Sequence, residues 1–221
     1  MTKAGNAHYI HASDLPNEIG LFPLDGVLLL PSGYLPLNVF EPRYLELIEH
    51  AMKGHRLIGI IQPVFEFPDI DVPELYKTGC IGRITSYNET GDGRLMIGLQ
   101  GICRFKVDSE VKTSEPYRIV RIKIDVDDLN ETDDSEKVNR QELLDTFEHF
   151  LEVHEMEADW DSIIQAPTES LVNALSIIAP FGTAEKQALL EAPDIVARAE
   201  TLIALTERSL MEHESNDKPL N

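Results

Sequence analysis

The sequence predicts an α+β fold, with a strand-rich first half that holds one short helix and a helical second half. Three observations carry this. Short apolar runs broken by Pro and Gly fill residues 18–126. Apolar residues at three- and four-residue spacing occur once inside that stretch, after Glu41-Pro42, and then only beyond residue 137. Between the two halves the composition turns acidic. Runs of strands followed by runs of helices segregate into α+β architectures or paired subdomains. The expected organisation is a loose N-terminal tail over 1–17, a β subdomain over 18–126, an acidic linker over 127–136, a helical bundle over 137–212 and a frayed tail over 213–221.

The elements follow in order. Ile19 to Leu24, Val27 to Leu30 and Leu35 to Phe40 have strand length, and Pro23, Pro31 and Pro36 belong at edges or strand ends because they cannot donate to a ladder. Glu41-Pro42-Arg43-Tyr44 opens a helix with Pro in the first turn, and Gly54 closes it. Tyr44, Leu45, Ile48 and Met52 give it one apolar face. Arg56 to Ile61 is a strand. Residues 63–76 contain three prolines and read as an excursion. Gly79 to Ile84 and Leu95 to Val107 are strands around an Asp92-Gly93 hairpin turn, with Gly98 and Gly101 marking bends of a curved or closed sheet. Ile122, Ile124 and Val126 alternate with Arg121, Lys123 and Asp125 in a last strand. Residues 125–161 then hold 15 acidic side chains against two basic ones, Lys137 and Arg140. Beyond them Val138, Leu144, Phe147, Phe150 and Leu151 fit one helical stripe, and Leu171, Val172, Leu175 and Ile178 a second, with Thr168 as its N-cap. Thr183 starts a short helix, and Ile195 to Leu210 form a final one.

Charge narrows the partners. The 221 residues carry 19 Lys and Arg against 39 Asp and Glu, a formal net charge of −20. Such a field repels phosphate backbones and anionic lipid heads, so it argues against nucleic-acid and membrane-surface roles. No run of 18 apolar residues and no apolar leader is present, which predicts a cytoplasmic protein. Cys80 and Cys103 form no C-x-x-C pair and lie in apolar runs, as packed, reduced thiols do.

Tests for chemistry fail one after another. There is no G-x-x-x-x-G-K-[ST], no G-x-G-x-x-G and no G-x-S-x-G. The seven histidines include no H-E-x-x-H, and the spacing of His149 and His154 does not place them on one helix face. The acids at 125–134 lack the glycine and terminal glutamate of a calcium loop. The sequence therefore calls for no enzyme activity, no metal and no cofactor.

Several runs are similar to a known family. Leu21-Phe-Pro-Leu24, Val27 to Pro31, Leu35-Pro-Leu37 and Phe40-Glu-Pro-Arg43-Tyr44 resemble the opening of the N-terminal domain of the Lon protease family. Leu57-Ile-Gly-Ile-Ile61, Gly79-Cys-Ile-Gly82-Arg-Ile84, Asp92-Gly93-Arg-Leu95 and Leu99-Gln-Gly101-Ile-Cys-Arg104-Phe105 continue the likeness, which spans about residues 18–212. The resemblance implies a PUA-like β-barrel followed by a helical bundle. It also implies recognition of unfolded or tagged polypeptide, without the ATPase and peptidase domains of the full protease.

On that footing the expected partner is an unfolded polypeptide or a partner protein, with the oligomeric state left open. Candidate peptide-binding anchors are Tyr34 at the Pro-Ser-Gly turn and Phe65, Phe67 and Tyr76 in the excursion, because buried aromatics dominate binding energy and loops on rigid scaffolds commonly carry sites. Two alternatives remain: an RNA-binding PUA-like module using Arg83, Arg94, Arg104, Arg118 and Arg121 as a basic strip, and a small-ligand protein.

Overall fold

The structure, a computed structural model, describes residues 2–64, 73–130, 134–154, 156 and 159–216. Among these residues it is α+β, with one six-stranded mixed sheet, a two-stranded hairpin and six α-helices. Two compact units divide it. The first is Met1–Thr132 with Pro180–Leu190, and the second is Asp133–Ala179 with Glu191–Asn221.

In the first unit β1 (Thr2–Ala4) and β2 (Ala7–Tyr9) pair as a hairpin. The main strands are β3 (Glu18–Pro23), β4 (Tyr34–Val39), β5 (Leu57–Ile61), β6 (Thr78–Glu89), β7 (Leu95–Val111) and β8 (Ile119–Ile124). Their order is β4-β7-β6-β5-β3-β8, and the long β7 also pairs with β8. Only β3 and β5 run parallel. Such parallel pairing needs a crossover connection, and β4 and α1 (Pro42–Lys53) lie within it in sequence. Pro42 stands in the first turn of α1, and Tyr44, Leu47, Ile48 and Ala51 are buried. Register shifts between Ile81 and Gly82 and between Ile84 and Ser86 bend β6 against β7. The core inside this sheet holds Leu21, Leu57, Ile61, Ile81, Ile102, Phe105, Val120 and Ile122.

Three expectations need correction here. Residues 1–17 are not a loose tail: Ala4, Tyr9 and Leu15 are buried in the same core, and Gln100 bonds the hairpin through Lys3 O and Gly5 N. Val27 to Leu30 is not a strand, although Leu28, Leu29 and Leu30 are fully buried. Ser32 takes a left-handed φ of 62°, and the Leu30 carbonyl lies so close to Gly101 that a side chain there would strike it. The start of the expected linker is also built in. Leu129 is buried, and Asp128 accepts from the Arg104 backbone and guanidinium at 2.7–2.9 Å.

The helix α5 (Thr183–Glu191) groups, all but its last residue, with the sheet rather than with the other helices. Gln187 accepts from Gln62 at 3.1 Å and donates to Thr78 O at 3.2 Å, Thr183 donates to Asp25, and Arg104 donates to Leu190 O. Lys186 is buried there, 2% exposed.

The second unit holds α2 (Arg140–Val153), α3 (Trp160–Gln165), α4 (Thr168–Ile178) and α6 (Ile195–Asn216). Asn139 and Asp159 cap α2 and α3 by accepting from backbone N–H groups at their starts. The inward stripe of α2 is Leu143, Phe147 and Phe150, with Leu144 and Leu151 only half-buried. On α4, Leu171, Val172 and Leu175 are inward but Ile178 is exposed. Its N-cap is Pro167, not Thr168, whose hydroxyl accepts instead from Arg140. Among the described residues no helix is long and apolar enough to cross a membrane.

Candidate functional site

The outer face of β4, β7 and β6 in the first unit exposes several large apolar side chains. Side chains alternate across a strand, so Leu35, Leu37 and Val39 turn inward while Tyr34, Pro36 and Asn38 turn out. Phe40 follows at the strand end. On β7, Met96 pairs with Asn38, Gly98 with Pro36 and Gln100 with Tyr34. On β6, Ser86 and Asn88 pair with the same Gly98 and Met96. Tyr34 is 55% exposed, Phe40 61% and Met96 43%. Gly98 is buried although it faces outward, because the Tyr34 ring lies across it. A Cβ at Gly98 would collide with the Tyr34 hydroxyl and with Ser86 Oγ. That hydroxyl and Ser86 Oγ stand 3.5 Å apart. Arg94 sits 5.8 Å from the Phe40 ring centroid, within cation–π range. The result is a row of apolar side chains fixed on regular strands, with polar groups at its margins. The docked hairpin, bonded to Gln100, borders one end.

The expected anchors divide. Tyr34 belongs to this face. Tyr76 is half-buried, and its N–H donates to Gln62 O at 3.0 Å beside the start of β6. Thr78 and Ser86, which mark the two ends, are eight residues apart on β6, about 25 Å. The structure thus does not bring Tyr76 and Tyr34 together. Phe65 and Phe67 lie outside the described residues. Sequence reading missed Phe40 and Met96. The available signal was the phase of β4, in which Pro36 and Tyr34 share a face that Phe40 continues.

The five arginines do not make a bare basic strip. Arg94 pairs with Asp92 at 3.1 Å, Arg118 with Glu110 at 2.8 Å and Arg121 with Glu18 at 3.0 Å. Arg83 donates to Tyr9 Oη and His55 O, both at 3.0 Å. Arg104 is buried. Desolvation opposes its charge, but the hydrogen bonds and charges of Asp128 and Asp125 outweigh it and hold its pKa above the ordinary value. A cavity of about 510 Å³ beside α1 is lined by Glu46, Glu49, His50, Lys53 and Glu115 among others. His50 Nδ1 lies 2.8 Å from the Tyr117 hydroxyl there, and no set of groups converges as for acid–base or nucleophilic work. Among the described residues no cluster of three or more His, Cys, Asp or Glu forms a metal site. Cys80 and Cys103 are free and buried, and burial pushes both thiols well above their ordinary pKa.

Residues 18–208 match the family described as the ATP-dependent protease La (LON) substrate-binding domain. The chain belongs to that family. A Lon protease of Dictyoglomus thermophilum is 27% identical over 209 residues, covering 89% of this chain and 25% of that protein. Lon protease 2 of Myxococcus xanthus is 28% identical over 209 residues, covering 90% and 24%. The chain thus spans about a quarter of the length of the curated relatives it matches. Two solved structures share the fold. A Lon N-terminal domain protein from Xanthomonas campestris gives a TM-score of 0.59 at 23% identity, covering 85% of this chain and 97% of that one. The N-terminal domain of the Mycobacterium avium complex Lon protease gives 0.62 at 16%, covering 86% and 98%. At these identities the likeness is one of fold. The α+β arrangement seen here is that of Lon N-terminal domains.

Proposed function

We propose that the chain is a non-catalytic polypeptide-recognition or adaptor module of the cytoplasm, and that the outer face of β4, β7 and β6 holds its client. The carrying observation is the exposed row of Tyr34, Pro36, Phe40 and Met96 on a rigid sheet, in a member of a family defined by substrate binding. Contiguous exposed apolar patches rimmed by polar groups mark interaction sites in soluble proteins. Unfolded chains offer the matching feature, apolar side chains that a folded protein hides. The six-stranded sheet is read as the PUA-like barrel of this family, a reading supported by the pairing of β8 with both β3 and β7. Engagement of all five arginines removes the feature that would favour RNA.

The test is fluorescence anisotropy of a labelled, reduced and carbamidomethylated lysozyme, which stays unfolded and basic, titrated with the protein beside a structured RNA at the same salt. Saturable binding of the polypeptide and not the RNA is the expected result. Binding of the RNA alone would overturn the proposal.

A further inference from the structure

Among the described residues the strand β4 pairs with β7 alone and stands at the end of the sheet. Its backbone phase can be worked out. Gly101 N–H donates to Gly33 O at 2.9 Å, and Gly101 O accepts from Ser32 N–H at 3.1 Å. The ladder therefore begins with a bonded pair around Gly101. Antiparallel pairs alternate between bonded and non-bonded, which makes Leu35–Leu99 and Leu37–Ile97 the next bonded pairs. Tyr34, Pro36 and Asn38 turn their backbone polar groups to the open edge. Among the described residues none accepts from Tyr34 N–H or Asn38 N–H. Pro36, which has no N–H, takes an outward position, where a ladder loses nothing by it.

The same three residues carry the outward side chains of the candidate face. An added strand would thus bond to Tyr34, Pro36 O and Asn38 while setting every second side chain beside Pro36 and Asn38, at the margin of that face. From this juxtaposition, and resting on the function proposed above, we infer that the client binds as an extended strand added to the free edge of β4. Addition of this kind takes affinity from main-chain bonds and preference from alternate side chains. It reads any sequence that can extend, as a receptor for unfolded chains must. Natural proteins blunt open edges with inward charges, bulges or covering loops; β4 carries only Pro36, which leaves donors on either side. The charge chooses the occupant. Two copies of a chain of net charge −20 repel each other along a shared edge, whereas a client with Lys or Arg beside its apolar residues is attracted.

Residue-resolved amide exchange of the whole protein, with and without saturating reduced and carbamidomethylated lysozyme, a basic unfolded polypeptide, tests this. Tyr34 and Asn38 amides exchange freely in the unbound protein and slow by about tenfold or more on binding, as one lost hydrogen bond per opening requires. Leu35, Leu37 and Val39 change little, because they are already bonded to β7. Asn38→Pro, which removes an outward donor, weakens the polypeptide about tenfold with its thermal midpoint retained. Saturable binding that leaves Tyr34 and Asn38 amides fast would overturn strand addition while leaving the face as the site. Failure of the polypeptide to bind at all would overturn both. Protection of the two amides that grows with protein concentration alone would assign the edge to a second copy and overturn the client.

Discussion

Lys186 shows how far a single residue can depart from its ordinary chemistry in this fold. It is buried on α5, and desolvation brings its pKa down to about 8. The unfolded chain holds that proton up to the ordinary lysine value near 10.5. Between about pH 8 and 10.5 the unfolded state therefore binds more protons, and stability rises with pH. The rise amounts to about 3 kcal/mol. Urea melts across that window should show it, and Lys186→Met should lack it. Arg104 makes the opposite case, a buried charge with its partner in place. Asp128→Ala removes the acid held at 2.7 Å from the guanidinium and leaves Asp125 at 3.8 Å. The expected loss is about 3 kcal/mol in the urea midpoint at unchanged slope, and Arg104→Met with Asp128→Leu should recover much of it. Neither role was legible in the sequence. Lys186 sits in a Glu-Lys-Gln run typical of a solvated helix face, and Asp128 in an acidic stretch that reads as linker. Burial across 24 and more residues of separation carries no local signal.

At the scale of elements, the ones with strong local rules were legible. The Asp92-Gly93 turn between β6 and β7, with Gly93 at φ 82°, and the Pro42 start of α1 follow from backbone chemistry alone. The hairpin of β1 and β2 was not, because three-residue strands give too short an alternation to read. Its stability is tertiary. Tyr9 alone buries enough apolar surface for about 2 kcal/mol, and Ala4 and the bonds to Gln100 add to it. Deleting residues 1–10 should therefore lower the thermal midpoint by about 5 °C, read by calorimetry. A midpoint unchanged within 1 °C, a threshold set at about the noise of the method, would show the hairpin to be ornamental. The candidate face was half legible. Tyr34 was visible beside its turn, but Met96 and Phe40 join it only through the register of β4 on β7.

For the molecule as a whole, the α+β class and the family were both present in the order of the elements, since consistent local choices point to one fold. The division into units was not. α5 follows α4 in sequence yet belongs with the sheet, because its polar residues meet partners just past β5 and on β6 that only the folded chain presents. The charge of −20 acts at this scale too. It predicts that a basic unfolded polypeptide binds more tightly than an acidic one at low salt, and that the difference shrinks toward zero as salt rises. The affinity that survives high salt belongs to the apolar face. The decisive measurement is the anisotropy titration of reduced and carbamidomethylated lysozyme at high salt with the wild-type chain and with Tyr34→Ala/Met96→Ala. Truncating two central anchors should weaken binding about 10- to 100-fold with the thermal midpoint nearly unchanged. Equal affinity in the two proteins would contradict the account and place the client elsewhere on the molecule.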